Sequence, residues 1–514
     1  METLVTAAQM AKIDRVAQDQ GIPGMVLMEN AGRHALRIWL RFALSDAWSQ
    51  DALRELGAVV AVAGSGNNGG DALVMARECS NLGIPVTAVL SKGELKGSVE
   101  QQRRILESMG VPLLTWDDSE ARRVIAEARW IFDGVAGTGI RGELRGTSRE
   151  LVEAMNRSNG SVLAVDLPSG TGDEYRPGFA AVEAVVTVTM GLKKRCLYHP
   201  GARELAGTIE VGDPGFPRAL LSPESGSFLV GSSDLPSFYP ALEASAHKGT
   251  RGFLGLFAGS AGTSGAAVLA GRGALHAGCG LARIHTDPGS RAEIAAGDPA
   301  LMVDGLDLAR LDELNVPDLV SRYSALAVGP GWGVSPGRYR LLAALATTGL
   351  PGVLDADGLN NLASRPGADH SEAGDAGELG HLSGWVLTPH PGEAARLLRR
   401  GVKDVLADPA GAAAEIAGAF EATVLLKGAV SVVSSPEGKE WFVEGMNPAL
   451  ATAGSGDVLA GVIGGLLARG AEATEAAVAG ALLHQEAGAR LFGESGWFAA
   501  SALPEAIGKV AGEL

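Results

Sequence analysis

The stretch AVVAVAGSGNNGGDALVMARECSNLGIPVTAVL, residues 58–90, decides the fold class of this chain. It opens with a valine-rich run at 58–64, passes through a turn of glycine and asparagine into the helix-like residues 71–83, and closes with a second apolar run at 85–90. This order of strand, helix and strand is typical of a βαβ unit, whose two strands are parallel. The stretch therefore predicts an α/β fold with a mostly parallel sheet.

The same alternation continues in both halves of the chain, at 130–137, 161–170 and 184–190 and then at 252–259, 281–286, 325–331 and 423–435. Two domains are expected, because 514 residues exceed the roughly 250 to 300 that one hydrophobic core supports. Proline, glycine and serine are concentrated at 212–237, which is typical of a linker. We therefore predict domains at 1–220 and 221–514.

The composition argues against several classes of protein. A formal net charge of -16 argues against a nucleic-acid-binding surface, which needs a dense basic face. The three cysteines, Cys79, Cys196 and Cys279, are too widely spaced to favour a disulfide framework or a zinc site. No run approaches the roughly 20 apolar residues of a membrane span, and the charged N-terminus lacks the apolar core of a signal peptide. The sequence predicts a cytoplasmic protein without a membrane or nucleic-acid partner.

The turn GSGNNGGD at 64–71 is the first candidate ligand-binding segment. Its glycines allow close approach of the backbone to a ligand, while Asn67 and Asn68 add donors and acceptors that a structural turn does not need. The turn matches neither the dinucleotide fingerprint GxGxxG nor the P-loop. The alternative is a structural turn in which Asp71 caps the next helix.

Two aspartates follow strand-like runs, Asp133 after WIF and Asp166 after VLAV. Both are expected at the carboxyl edge of a parallel sheet, where α/β proteins bind ligands. Asp133, Asn68 and Ser169 together could coordinate a monovalent or other hard cation through oxygen atoms, and Asp166 could exchange protons with a ligand. Taken singly, each aspartate is more typical of a turn or cap. The nearby segment GTGIRGE at 137–143 adds Arg141, which could bind phosphate bidentately or be a solvated loop residue.

In the second half, GSGD at 454–457 runs into an apolar, helix-like segment. A helix N-terminus presents unpaired N–H groups and favours an anion, so the turn suits phosphate chemistry. Asp457 would be repelled by a phosphate, which favours a base that deprotonates a substrate hydroxyl, but aspartate is also common as a helix cap. The local pattern weighs the two roles about evenly.

Two further residues of the second half follow strand-like runs. His390 lies between two prolines, which fixes its backbone and suits a ligand contact, although a lone histidine is more often structural. Lys427 emerges from the apolar run TVLL and could reach nucleotide phosphates.

These motifs together resemble one family. GSGNNGGD, FDGVAGTGIRGE and AVDLPSG, in this order, resemble the N-terminal epimerase domain of the NAD(P)H-hydrate repair enzymes. HKGTRG, GSAGTSGAA, GPG, LDADGLNNL, TPHPGE, LLKGAVSVV and NPALATAGSGDVLAG resemble the C-terminal dehydratase domain. The resemblance covers nearly the whole chain and implies a Rossmann-like three-layer domain followed by a ribokinase-like domain.

The resemblance also implies a bifunctional activity. The first domain would interconvert the R and S epimers of hydrated NADH or NADPH, called NAD(P)HX. The second would dehydrate the S epimer at the expense of ADP, or ATP as in eukaryotic relatives, giving NAD(P)H, AMP and phosphate. Potassium in the epimerase, magnesium with the nucleotide in the dehydratase, and a homo-oligomer are implied as well.

Carried over by motif, the resemblance implies five sets of residues. Asp166 and Asp457 would be catalytic, and Asn68, Asp133 and Ser169 would surround potassium. The epimerase substrate would contact Asn67, Asn68, Gly69, Gly70, Asp71, Gly137, Thr138, Gly139, Ile140, Arg141, Gly142, Glu143 and Asp166. The dehydratase would bind the hydrated nucleotide through Ala266, Gly331, His390 and Asp457. It would bind ADP through Lys427, Gly428, Ala429, Val430, Ser431 and Gly456.

Two other functions are alternatives. A ribokinase-like small-molecule kinase fused to a nucleotide-binding module would use the same motifs, but would accumulate a phosphorylated product. A non-catalytic scaffold or RNA-associated binding module could be built on the first domain, because Rossmann-like folds are widely reused. The acidic charge argues against the RNA partner.

Overall fold

A computed structural model describes residues 1–44, 49–241, 245–364 and 381–514. The chain divides into two compact units, one formed by Thr3–Ser227 and the other by Met1–Glu2 with Phe228–Leu514. The division lies within the predicted linker at 212–237. The assignment of one activity to 1–220 and another to 221–514 stays a prediction.

The N-terminal unit, Thr3–Ser227, alternates strands and helices. Its strands are β2 (Val59–Ala63), β3 (Val86–Leu90), β4 (Leu113–Thr115), β5 (Trp130–Gly134), β6 (Ser161–Val165), β7 (Val186–Met190) and β8 (Thr208–Gly212), after a short β1 (Glu2–Leu4) at the start of the chain. Its helices are α1 (Ala7–Asp19), α2 (Gly24–Leu44), α3 (Gln50–Glu55), α4 (Asn67–Asn81), α5 (Gly97–Ser108), α6 (Ser119–Glu127), α7 (Gly146–Arg157) and α8 (Pro200–Arg203).

The seven strands of this unit form one sheet in the order β4-β3-β2-β5-β6-β7-β8, and each pair of neighbours is parallel. Apolar clusters cover both faces, one with α2, α4 and α5 and the other with α6 and α7. The three layers and the predicted βαβ unit, which is β2, α4 and β3, are thereby confirmed. Because β2, β5 and β6 are neighbours, the turns that follow them meet at the carboxyl edge of the sheet.

Helix α4 begins earlier than the sequence pattern suggested. We expected the helix from residue 71, whereas Asn67 and Asn68 already form its first turn and Gly66 is the N-cap. Asp71 therefore lies in the second turn, which excludes the alternative in which it caps the helix. The early start places both asparagine side chains on a rigid element.

The C-terminal unit contains the larger sheet. Its strands are β9 (Ser227–Val230), β10 (Phe253–Phe257), β11 (Leu281–Thr286), β12 (Met302–Gly305), β13 (Ala325–Val328), β14 (Gly352–Leu354), β15 (Trp385–Leu387), β16 (Thr423–Leu426), β17 (Val430–Ser434) and β18 (Glu440–Glu444). Its helices are α9 (Ser264–His276), α10 (Arg291–Gly297), α11 (Val316–Val320), α12 (Pro336–Ala346), α13 (Asp357–Ala363), α14 (Pro391–Leu398), α15 (Val402–Ala407), α16 (Pro409–Phe420), α17 (Ser455–Ala468), α18 (Ala473–Ser495) and α19 (Leu503–Ala511).

From β9 onward the order of this sheet is β9-β18-β17-β16-β15-β14-β13-β10-β11-β12, with parallel pairing from β16 through β12. The expectation of one continuous strand-like run at 423–435 was incomplete, because residues 427–429 turn the chain and β16 and β17 pair as an antiparallel hairpin. β18 extends this antiparallel part. The turn of the hairpin places Lys427 at the carboxyl ends of the parallel strands.

Helix α17 is buried along its length from Val458 to Ala468 and packs against α9. A helix that is apolar on all sides belongs in a core, so only its first turn is left to meet a ligand. Within the described ranges, no helix is long and apolar enough to cross a lipid bilayer.

Candidate functional site

The turns that follow β2, β5 and β6 surround a cavity of about 600 Å³ in the N-terminal unit. Helices α1 and α2 close its other side through Met10, Asp14 and Met28. The structure thus brings together eight of the predicted epimerase residues along this cavity. They are Asn67, Asn68, Asp71, Gly137, Thr138, Gly139, Ile140 and Asp166.

The other predicted epimerase residues lie beside the cavity lining. A side chain at Gly69 would collide with the backbone oxygen of Gly64 at 2.1 Å, so this glycine serves the packing of α4 against the preceding turn. Gly70 is likewise packed against a methionine side chain of α2, and Gly142 has the left-handed φ of +62° in its loop. Arg141 is exposed. The carboxylate of Glu143 pairs with Arg149 at 3.1 Å.

Asp166 is held by its backbone and by one of its carboxylate oxygens. Its φ of +65° is in the left-handed region, which is unusual for a residue other than glycine and clusters at functional sites. Oδ1 accepts a hydrogen bond from the backbone N–H of Met190 at 3.1 Å and another from Nζ of Lys194 at 2.6 Å. Sequence reasoning missed Lys194, although the run KKR directly after a strand-like segment could have drawn attention to it.

Two more carboxyl groups line the same cavity. Asp71 is buried, and its pKa is raised well above the ordinary value by desolvation, then by the charges of Asp166 and Asp14. Burial also raises the pKa of Asp14, with the charge of Asp166 adding to the effect. Asp14 lies on α1, outside every motif, and the sequence offered no signal for it. The cavity can therefore present carboxyl groups of different proton affinity, as acid/base chemistry requires.

The three residues predicted around a cation also come together. Asp133 is fully buried, and its carboxylate accepts hydrogen bonds from Ser169 Oγ at 2.6 Å and Ser169 N at 2.8 Å. Burial raises the pKa of Asp133 to about 6, against the lowering effect of the Ser169 hydrogen bonds. Nδ2 of Asn68 donates to the carbonyl of Ala136 at 3.1 Å, while the buried Oδ1 of Asn68 has no hydrogen-bond partner.

That unpaired amide oxygen and the buried carboxylate fit a hard cation. Potassium takes oxygen ligands, and a cation there would satisfy Oδ1 of Asn68 and offset the burial of the Asp133 charge. Among the described residues, no group of three or more histidine, cysteine, aspartate or glutamate side chains could hold a metal ion. The donor set at Asn68, Asp133 and Ser169 consists of an amide, a hydroxyl group and a single carboxylate.

In the C-terminal unit, the GSGD turn forms the N-terminus of α17. Gly454 is the N-cap with a left-handed φ of +92°, and it makes no side-chain cap hydrogen bond. Oγ of Ser455 donates to the carbonyl of Leu450 at 2.7 Å, and the carbonyl of Ser455 lies 3.0 Å from Nε2 of the buried His484. The N-cap position belongs to Gly454, so Asp457 in the first turn is not the cap that the sequence left as an alternative.

Asp457, Lys427 and Asp355 lie close together at this turn. Nζ of Lys427 is 2.7 Å from Oδ1 of Asp355. A β-carbon placed on Gly456 would lie 3.4 Å from Nζ of Lys427, so the ammonium group lies directly over the start of α17. Burial raises the pKa of Asp457 to about 6, with the charge of Asp355 adding to it and that of Lys427 opposing it. A carboxyl group of this kind can accept a proton near neutral pH.

His390 forms the N-cap of α14 next to this cluster. Its Nδ1 accepts from the N–H of Gly392 at 3.0 Å, and Glu393 accepts from the N–H of His390 at 2.9 Å. Burial lowers the pKa of His390, helped by the positive charge of Lys427. The pKa of the buried Glu393 is raised to about 7, mainly by desolvation. The histidine side chain remains half exposed and can meet a ligand.

Ala266 lies in the first turn of α9 and Gly331 in the loop after β13, and the two meet. A β-carbon on Gly331 would lie 3.0 Å from the β-carbon of Ala266. The loop of Gly331 continues to Gly333, whose N–H donates to Asp357 at 2.7 Å, and Asp357 is one of the charges that act on Asp457. Ala266 and Gly331 are thus neighbours, and Asp357 connects the loop of Gly331 with the surroundings of Asp457.

The predicted nucleotide segment after Lys427 is only partly accessible. Gly428 and Ala429 are exposed in the hairpin turn, whereas Val430 and Ser431 are buried in β17. Oγ of Ser431 faces the carbonyl of Gly428 at 3.3 Å and supports the turn. Sequence reasoning did not assign roles to Asp355 and Glu393, although they lie in the quoted motifs LDADGLNNL and TPHPGE.

Comparison with known proteins gives a separate match for each of the two units. A family model described as NAD(P)H-hydrate dehydratase matches residues 254–509, and one described as YjeF-related protein N-terminus matches residues 24–196. These two matches follow the order of the two units, and the predicted α/β fold class with mostly parallel sheets is confirmed.

Relatives of full length are described as bifunctional NAD(P)H-hydrate repair enzymes. The one from Moorella thermoacetica is 36% identical over 94% of this chain and 92% of its own length. The one from Escherichia coli is 30% identical over 97% and 92%. A solved structure of an ADP/ATP-dependent NAD(P)H-hydrate dehydratase from Bacillus subtilis is 28% identical, covers 56% of this chain and 98% of its own, and has a TM-score of 0.48.

Proposed function

This chain belongs to the family of bifunctional NAD(P)H-hydrate repair enzymes, and we propose that each of its two sites carries out one step of the repair. The protein repairs hydrated NADH and NADPH by epimerisation and by nucleotide-dependent dehydration. The cavity of the N-terminal unit is assigned to epimerisation, and the site at the start of α17 to dehydration. A homo-oligomer in the cytoplasm is part of the proposal, on the sequence prediction alone.

In the N-terminal site, Asp166 is proposed to exchange protons with the hydrated nicotinamide. The two epimers differ at the ring carbon that carries the hydroxyl group, so their interconversion needs a group that takes up and returns a proton. Support comes from the position of Asp166 on the cavity and from the hydrogen bonds that occupy only its Oδ1. Asn67, Asn68, Asp71 and the loop at 137–143 are proposed to contact the substrate.

Asn68, Asp133 and Ser169 are proposed to hold potassium beside this cavity. The unpaired Oδ1 of Asn68 and the buried carboxylate of Asp133 support the assignment. When bound, the ion would supply positive charge at the carboxyl edge of the sheet, where it offsets negative charge on a nucleotide substrate. The residues themselves orient the turns at Asn68 and Ala136 through their hydrogen bonds.

In the C-terminal site, Asp457 is proposed to deprotonate the hydroxyl group of the S epimer. The hydroxyl oxygen then attacks the terminal phosphorus of ADP, and AMP leaves. Loss of phosphate from the ring carbon, together with a proton from the neighbouring carbon, restores the double bond of NAD(P)H. Phosphate is a much better leaving group than hydroxide, which accounts for the use of a nucleotide.

The observation that carries this proposal is the position of Asp457 at a helix N-terminus, with a pKa of about 6 and Lys427 directly over Gly456. Lys427 and the N–H groups of the first turn are proposed to hold the transferred phosphoryl group. Magnesium would accompany the nucleotide, bound by phosphate oxygens, and would neutralise their charge. Ala266, Gly331 and His390 are proposed to contact the hydrated nicotinamide nucleotide, and Gly428 to Ser431 the adenine nucleotide.

The test is an assay with both epimers present. Purified protein is incubated with mixed NADHX epimers and either ADP or ATP, and recovery of NADH is followed by its near-UV absorbance. We expect both epimers to be recovered and ADP to be the better donor. No recovery with either nucleotide would overturn the proposal, a phosphorylated product that accumulates would favour a kinase, and recovery of the S epimer alone would remove the assignment of the first site.

A further inference from the structure

Lys194 is one of the largest fully buried side chains of the molecule. A lysine is almost never fully buried unless its charge is paired, because removing an ammonium group from water is costly. Its Nζ lies 2.6 Å from Oδ1 of Asp166 and 2.6 Å from the carbonyl oxygen of Met190. The contact with Asp166 joins opposite charges, so the charge of Lys194 is paired with that carboxylate.

The two oxygens of Asp166 are treated differently. Oδ1 accepts from Lys194 and from the N–H of Met190, whereas no donor in the described part of the chain binds Oδ2. Asp166 also lines the cavity of the proposed epimerase site. Two protein donors therefore bind Oδ1, while Oδ2 remains available to a ligand in the cavity.

The backbone around both residues is fixed. Asp166 keeps its left-handed φ of +65°, and its N–H donates to the carbonyl of Val188 at 2.8 Å. Lys194 pairs with Val5 in a parallel bridge, and the next residue, Arg195, donates its N–H to the carbonyl of Val5 at 2.8 Å. These bonds hold the backbone of both residues in place, so the side chains of Asp166 and Lys194 start from fixed positions and the pair is preorganised.

The charges around Asp166 make the lysine more important. Asp14 on α1 and Asp71 on α4 line the same cavity and interact electrostatically with Asp166. The thiol of Cys196, two residues from Lys194, is buried close by. Of these ionisable neighbours, Lys194 alone carries a positive charge. Without it, three carboxyl groups would share one partly buried space, which disfavours ionisation of each.

Resting on the proposed role of Asp166 in epimerisation, we propose that Lys194 is a positioning residue for this reaction. Its ammonium group anchors Oδ1, keeps the negative charge on Asp166, and leaves Oδ2 as the oxygen that exchanges the proton with the substrate. Lys194 itself is covered and does not touch the substrate.

The experiment compares Lys194→Met, Lys194→Arg and the matched control Lys193→Met. Epimerisation is measured without nucleotide, by separating the epimers after addition of pure R-NADHX, so that the second site is idle. We expect kcat of Lys194→Met to fall about 10-fold or more, with little change in KM, and Lys194→Arg to recover part of it. Lys193→Met should behave like the original protein.

A pH profile separates positioning from mere structural support. In Lys194→Met the acidic limb of kcat/KM should move to higher pH, because the positive charge beside the carboxylate is lost. An unchanged KM and unchanged dehydration of S-NADHX would show that both sites are still formed. An unmoved acidic limb, or kcat within about 2-fold of the original, would overturn the inference.

Asp166→Asn distinguishes this inference from the proposed function. If Asp166→Asn still epimerises at the original rate, the proposed role of Asp166 is wrong, and the inference falls with it. If Asp166→Asn is inactive while Lys194→Met keeps the original kcat and pH profile, only the role of Lys194 is wrong.

Discussion

The two units use a lysine and an aspartate in different ways. In the N-terminal unit, Lys194 contacts the proposed catalytic aspartate itself, Asp166, at 2.6 Å. In the C-terminal unit, Lys427 contacts a different aspartate, Asp355, at 2.7 Å, and the proposed base, Asp457, is near this pair without being part of it.

This difference teaches what each lysine is for. Lys194 is fully buried, so its positive charge interacts with the carboxylate of Asp166 inside the protein. The side chain of Lys427 is 22% exposed and lies over the start of α17, so it can still meet a phosphate. Asp457 forms no ion pair with a described residue, and its pKa of about 6 is close to the pH at which a base works. The pair of Lys194 and Asp166 holds the catalytic carboxylate that we propose in place. The pair of Lys427 and Asp355 leaves the ammonium group of the lysine available to a ligand.

The sharpest test of this comparison is Asp457→Asn. The variant keeps the shape of the side chain but cannot accept a proton, so dehydration of S-NADHX should fall by about 10²- to 10⁴-fold. Epimerisation of R-NADHX on the same protein should be unchanged and is the control. Dehydration at the original rate would show that Asp457 is not the base.

A smaller effect is expected from Lys427→Met. Loss of the ammonium group should raise KM for ADP by about 10- to 100-fold, the worth of one charge-assisted hydrogen bond. Lys427→Arg should recover part of the affinity, and Lys403→Met, at an exposed lysine of α15, is the matched control. Unchanged KM for ADP in Lys427→Met would contradict a phosphate-binding role and leave the lysine only its pairing with Asp355.

The pH dependence of dehydration tests the same site in the unmodified protein. Asp457 acts as a base only when ionised, and its pKa of about 6 reflects burial and the charge of Asp355, against that of Lys427. As the pH falls through about 6, the carboxylate gains a proton and kcat/KM should decrease, by about tenfold for each further pH unit. A flat profile between pH 5 and 7 would be inconsistent with this assignment.

The smallest effect is expected from the cation site, and it should be confined to the N-terminal unit. Potassium should raise the melting temperature and the rate of epimerisation, since a ligand that binds only the folded protein stabilises it, by about 2.7 kcal/mol at a hundred times its Kd. In Asp133→Asn this response should be lost. The rate of dehydration should respond to potassium equally in the original protein and in Asp133→Asn. If Asp133→Asn keeps the response of epimerisation to potassium, Asp133 is not a potassium ligand.

Sequence patterns predicted the fold best where the periodicity was strong. Residues 58–90 form the expected βαβ unit, because valine-rich runs fit buried parallel strands and the helix-like residues 71–83 stand between them. The hairpin of β16 and β17 was read as one run, because a single glycine at 428 is a weak turn signal inside apolar sequence.

The grouping of the proposed site residues was predictable where strand order alone brings them together. Asn68, Asp133 and Asp166 follow or end strands, and parallel strands deliver such residues to one edge. Asp14 and Glu393 were not predicted as site residues. Their altered pKa values arise mainly from burial, which depends on elements packed around them and has no local signature in the sequence.

By itself, the sequence determined the α/β class, the division into two units and the turns that carry the proposed site residues, because these depend on local periodicity and on glycine-rich segments. Only the tertiary structure decided which lysine pairs with which aspartate. Asp166 and Lys194 are separated by 28 positions in the sequence, and Asp355 and Lys427 by 72. Such pairs form because folding places both groups in one poorly solvated space, where an ammonium group and a carboxylate stabilise each other and set the proton affinity of their neighbours.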